Sequence, residues 1–210
     1  MFVHIFEEYP VSASELRICA VGDELLSTVG DARALGWLGR VVARTRTDAA
    51  TVLLPLSVPG ETTTGLSARW EDEFNRRVIS APDVDQRLVI SLGHNDIVAG
   101  LSVARSRLNL ANILDIADER RISTFVVGPP PTVPHRAREI EELSAAFADV
   151  AQRRRVPFVD TFTPLVDHEQ WNSDLAVNRG PFPGQAGYGL MAWLVLHSGW
   201  HTWLGLPEDV

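Results

Sequence analysis

Cysteine, long apolar runs and an excess of positive charge are all scarce in this 210-residue chain, and each shortage excludes something. A single cysteine, Cys19, allows no disulfide within the chain. It lies in an apolar run and reads as a buried thiol rather than a nucleophile. No window approaches the roughly 18 uninterrupted apolar residues of a membrane span. The first ten residues carry Glu7, Glu8 and Pro10 with no positively charged start, unlike a signal peptide. A net charge of −8 argues against a nucleic-acid or anionic-membrane surface. The expectation is a cytoplasmic protein with no nucleic-acid or membrane partner. Its oligomeric state is not readable from sequence.

The apolar and charged residues that are present, 45% and 22%, suit a folded core. Short apolar runs at 18–21, 51–58, 87–92, 124–127 and 156–160 read as strands. Between them, 34–46, 64–78, 101–120, 137–154 and 187–196 show helical spacing, and Leu25-Leu26 is expected to open a further helix. Strands alternating with helices predict parallel βαβ units in an α/β three-layer sandwich. Residues 1–16 read as an N-terminal extension and 17–210 as one domain, without repeats or interior linkers. The arginines 153–155 close a helix, where positive charge suits the macrodipole.

Successive strands end in small or polar residues: Gly22-Asp23-Glu24, Pro59-Gly60-Glu61, Gly93-His94-Asn95-Asp96 and Gly128-Pro129. A late loop, 178–184, is expected to join them. In a parallel sheet these ends converge on one rim, where open α/β proteins bind ligands. Asp23 and Asp96 read as structural acceptors in their turns. His4, His135, His197 and His201 read as surface or packing residues, and His168 as a loop residue. No His, Cys, Asp or Glu set has metal-ligand spacing, so neither metal nor cofactor is expected.

From Arg17 nearly to its end the chain resembles the SGNH (GDSL) hydrolases, a flavodoxin-like family of esterases and lipases with a five-stranded parallel sheet. Gly22-Asp23-Glu24 stands at that family's GDS block, Gly60 at its second-block glycine and Gly93-His94-Asn95-Asp96 at its GxND block. The stretch 179–188 stands at the DxxH block and the PxxxGY-like segment after it. The resemblance implies an oxyanion hole made by Gly60 and Asn95. It also puts Glu24 where the family has its serine, Phe182 where it has the general-base histidine and Arg179 where it has the aspartate. A carboxylate is a poor nucleophile beside a developing oxyanion, and Phe182 moves no proton.

Two readings of Arg179 stay open, an ion pair with Glu24 across the site or a solvated loop residue. His94 is either a general acid or base oriented by Glu24, or a histidine that fills space. The candidate catalytic set is therefore Glu24, His94 and Arg179, with Gly60, Asn95 and Phe182 against the substrate. Two functions compete. One is proton transfer on a small carbonyl compound, as in isomerisation, cyclisation, dehydration or retro-addition. The other is a catalytically inert binding or assembly protein on a hydrolase frame. Ester hydrolysis by an unusual route is a third.

Overall fold

The computed structural model describes residues 13–178 and 180–207. Most of the 1–16 extension, His4 included, and Arg179 lie outside these described residues. Five parallel strands, β1 (Glu15–Gly22), β2 (Ala50–Ser57), β3 (Val84–Ser91), β4 (Ser123–Val127) and β5 (Phe158–Val159), form one sheet in the order β2-β1-β3-β4-β5. This is an α/β sandwich of the flavodoxin-like type that the resemblance implies.

Alternation along β1 divides the core. Ile18 and Ala20 face a layer made by α1 (Gly36–Val42) and α7 (Gln185–Val195), where Trp37, Val41, Met191 and Trp200 are buried. Cys19 and Val21 face the opposite layer of α2 (Thr63–Asn75), α4 (Val103–Glu119) and α5 (Ala137–Arg153), filled by Leu66, Trp70, Ile113 and Phe147. The period-2 side-chain direction of a strand makes both faces of one apolar run interior, which requires a helix layer on each side. Cys19 is buried, and burial holds its thiol up at about 11.

Three expectations need correction. Leu25-Leu26 open no long helix: Glu24–Leu26 is one 3-10 turn, capped by Asp23. The fifth strand shrinks to Phe158–Val159, where pairing with β4 stops. A helix unread in the sequence, α6 (Glu169–Asn178), precedes the late loop and takes up most of the stretch after His168. It buries only Trp171 and Leu175, too sparse a stripe for the periodicity to register. Trp193 is exposed, whereas Trp200 is buried against Phe125 with edge-to-face rings 5.4 Å apart. Among the described residues no helix is long and apolar enough to cross a membrane.

The chain passes from β1 out to edge strand β2 and then back across to β3. The carboxyl ends of β1 and β3 therefore flank a topological switch point, where the loops diverge and leave a crevice. Gly22 permits the close pairing there: a Cβ on it would lie 1.8 Å from the Ser91 carbonyl oxygen, and its φ is +154°.

Candidate functional site

Three loops bring their polar residues to that crevice. After β1, Asp23 accepts the Leu25 N–H at 3.0 Å through Oδ1, which caps the short turn and turns Glu24 inward. After β2, Gly60 takes a left-handed φ of +74° and directs its N–H into the site. After β3, Gly93 precedes α3 (His94–Val98), whose first residues are His94, Asn95 and Asp96. Asp96 is wholly buried and accepts both the Thr63 N–H and the Thr63 hydroxyl at 2.7 Å, tying α3 to the start of α2. Its expected structural role is what the geometry shows.

Glu24 is the hub. Its Oε2 accepts the Gly60 N–H at 2.8 Å and the Asn95 side-chain amide at 2.9 Å. The two groups expected to hold a substrate oxyanion thus converge on the protein's own carboxylate. Its Oε1 lies 3.0 Å from His94 Nε2. On the far side of the ring, His94 Nδ1 is 3.3 Å from Asp23 Oδ2. Asp23, Glu24 and His94 are all buried.

These contacts set the charges. Burial works to raise Glu24, but His94, Gly60 and the residue's own N–H outweigh it and hold the carboxyl down at about 2. Burial would likewise lower His94, yet the Asp23 and Glu24 carboxylates raise it to about 9. Full burial pushes the Asp23 carboxyl up, against the pull of His94. At neutral pH, Glu24 and His94 are a carboxylate–imidazolium pair. Acid and base are separated by environment within one hydrogen bond.

Above this pair opens a cavity of about 910 Å³. Glu24, His94 and Asn95 contribute to it, together with the 131–134 segment and Leu175 and Ala176 of α6. The walls are mainly apolar, with His135, Asp167 and Asn172 as further polar members. Among the described lining residues none is a serine or cysteine. Ser27, the nearest serine in sequence, instead donates its hydroxyl to the Glu24 carbonyl oxygen.

Of the sequence-predicted residues, Glu24, His94, Gly60 and Asn95 are brought together. Phe182 is not among the lining residues. It is half-buried beside Gly180, where an added Cβ would lie 3.5 Å from its ring, and its carbonyl accepts the Asn178 side-chain amide at 3.1 Å. The proposed Glu24–Arg179 pair lies outside the described residues, and the described cation beside Glu24 is His94. Sequence reasoning missed the contact of Asp23 with His94 and the whole α6 wall. It also found no metal-binding spacing, whereas folding gathers Asp23, Glu24 and His94 with ligand atoms within 4.8 Å of one another. Their donor chemistry could hold a divalent cation, which would compete with the His94 proton.

Comparison with known proteins places this geometry in context. The family model of the GDSL-like lipase/acylhydrolase family matches residues 20–190. No curated protein matches in sequence. Among solved structures, Axe2, an acetylxylan esterase from Geobacillus stearothermophilus, is similar with a TM-score of 0.72 and 16% identity over 96% of this chain and 99% of that one. The psychrotrophic esterase EstA from Pseudoalteromonas sp. gives 0.67 and 20%, over 91% and 99%. TesA gives 0.67 and 21%, over 87% and 97%. At these identities the structures share the fold.

Proposed function

Because this chain belongs to the GDSL-like lipase/acylhydrolase family yet carries Glu24 and His94 as an ion pair beneath its cavity, we propose that it performs acid–base chemistry on a small carbonyl compound. Isomerisation, cyclisation, dehydration and retro-addition all fall in this class. The observation that carries the reading is the Glu24 Oε1–His94 Nε2 contact of 3.0 Å at an open cavity. Glu24 is the ionised group and takes a proton from the carbon beside the substrate carbonyl. His94 is the protonated group and donates to the oxygen on which charge develops. No covalent intermediate is needed. The pair is neutral as a unit and most of the wall is apolar, so an uncharged substrate suits the site.

Gly60 and Asn95 serve both partners in this scheme. Before the reaction they hold the negative Oε2. As Glu24 takes up a proton it becomes a weaker acceptor, and the substrate oxygen that now bears the charge becomes the better one. The donors follow the charge. Phe182 enters this proposal only as a chain neighbour of Gly180 and Pro181, which line the cavity, and Arg179, outside the described residues, has no role in it.

One observation favours a second reading. Since Glu24 Oε2 already occupies both donors, the chain could be an inert binding protein whose anion site is filled from within. Proton exchange separates the readings. The protein is incubated in deuterium oxide with a panel of small ketones and β-dicarbonyls, and exchange beside the carbonyl is followed by proton NMR. The expected result is catalysed exchange that falls by about 10²–10⁴ in Glu24→Gln, the usual worth of a positioned base. Absence of exchange across the panel supports the inert reading. Rapid hydrolysis of p-nitrophenyl acetate that survives Glu24→Gln overturns the acid–base assignment.

A further inference from the structure

At the opposite end of the sheet, where the strands begin, a second cavity of about 520 Å³ lies between the segment after α1 and the kinked end of α7. Its lining includes Arg44, Arg46, His197 and His201, with Leu196 and Gly199, and contains no acidic side chain among the described residues. Four basic groups around one hollow stand out on a chain of net charge −8. We propose that this cavity binds a phosphate-bearing small molecule, separately from the candidate catalytic centre.

Both arginines are available. Neither guanidinium has an ion-pair partner among the described residues, although most of the chain's other arginines are spent on carboxylates. His201 is 8% exposed, and its Nε2 is buried with no hydrogen-bond partner. His197 donates through Nδ1 to the Trp193 carbonyl at 2.7 Å and stacks on the Trp193 ring at 4.2 Å, which fixes its orientation and leaves Nε2 free.

The walls are held in register before any ligand arrives. Thr45, between the two arginines, accepts the Trp200 indole N–H at 2.9 Å and donates to the Val41 carbonyl at 2.9 Å. Gly199, at φ +85°, makes the bend that sets His197 and His201 on the same side. Planar guanidinium forks fit phosphate oxygens in bidentate fashion. A volume of this size admits an organic phosphate as well as the bare ion.

The test is calorimetric titration of the whole chain with inorganic phosphate and with pyrophosphate, at constant ionic strength held by chloride. One saturable site is expected. The Arg44→Ala/Arg46→Ala double variant should bind about tenfold or more weakly, as expected when charge-assisted bidentate contacts are lost. His201→Gln should weaken binding as well, and Glu24→Gln should leave it unchanged. Both arginines are exposed, so the double variant is expected to fold, and its circular dichroism and unfolding midpoint check that. Absence of saturable binding at millimolar phosphate overturns the proposal. Equal affinity in the folded double variant overturns it too, as does weakening by Glu24→Gln, which would put the anion at the other cavity.

Discussion

The imidazole of His94 sits 3.0 Å from Glu24 Oε1, although seventy positions separate the two residues in the chain. The same ring reaches toward Asp23 at 3.3 Å. One buried cation therefore stands between two buried carboxyl groups at the carboxyl ends of two neighbouring strands. That arrangement governs the response of the protein to pH and to substitution.

The pH dependence of stability has a definite sign. His94 is raised from 6.5 to about 9, so its stabilising contribution is whole below pH 6.5 and is lost as pH rises through about 9. Glu24 is lowered from 4.5 to about 2, so its contribution is whole above 4.5 and is lost as pH falls through about 2. Asp23, pushed up from 3.8 by burial, contributes stability that falls as pH rises above 3.8, in the same direction as His94. Stability should be greatest between about 4.5 and 6.5 and decline toward 9. Urea midpoints across that range check it. A midpoint that stays flat above pH 6.5 contradicts the ion pair.

Replacing His94 by Gln should be costly at neutral pH. The change leaves two buried carboxyl groups without their cation, and removing one member of a buried pair typically costs about 3–5 kcal/mol. The penalty should shrink in acid, where one carboxyl can take a proton. Denaturant unfolding at neutral and acid pH measures both values. Equal penalties at the two pH values would refute the account.

Asp96→Ala acts at one remove. It deletes the acceptors of the Thr63 N–H and hydroxyl and so loosens α3 against α2. Each orphaned buried group costs about 1–3 kcal/mol. The exchange rate defined for Glu24 should fall with it, because Asn95 and Gly60 lose their relative placement. Asp96→Asn keeps an acceptor for one of the two groups and should recover part of both losses. A variant with native exchange and native stability excludes the positioning role.

Filling the cavity from its α6 wall should separate binding from folding. Ala176 is exposed and lines the cavity, so Ala176→Trp should leave stability within about 0.5 kcal/mol. The bulk should nonetheless block small carbonyl ligands. Thermal unfolding and the exchange assay together test this, and undiminished exchange would place the reaction elsewhere.

Much of this was legible in the chain itself. Ile18 to Val21 and Leu88 to Ile90 are apolar on both faces, which dictates a covered parallel sheet, and the glycines that end these strands mark the rim. Asp96 was legible as a turn acceptor. The helix α6 was not, because Trp171 and Leu175 are its only buried residues and two positions make no period. The partner of Glu24 was legible only as alternatives. Arg179 and His94 both stood near it in the motif order, and His94 is the one that meets it among the described residues. Asp23 could be read as a cap but not as a contact of His94, since one oxygen does the first and the other the second.

By itself, the sequence determined the layers, the strand–helix alternation and which turns gather at one rim. Those arise from local periodicity and turn chemistry, which can be counted along the chain. The tertiary structure decided where each side-chain atom goes: that Gly60 and Asn95 grasp Glu24 Oε2, and that His94 takes a charge between two acids. Such pairings depend on distances and on burial, and these exist only once strands far apart in the chain lie side by side.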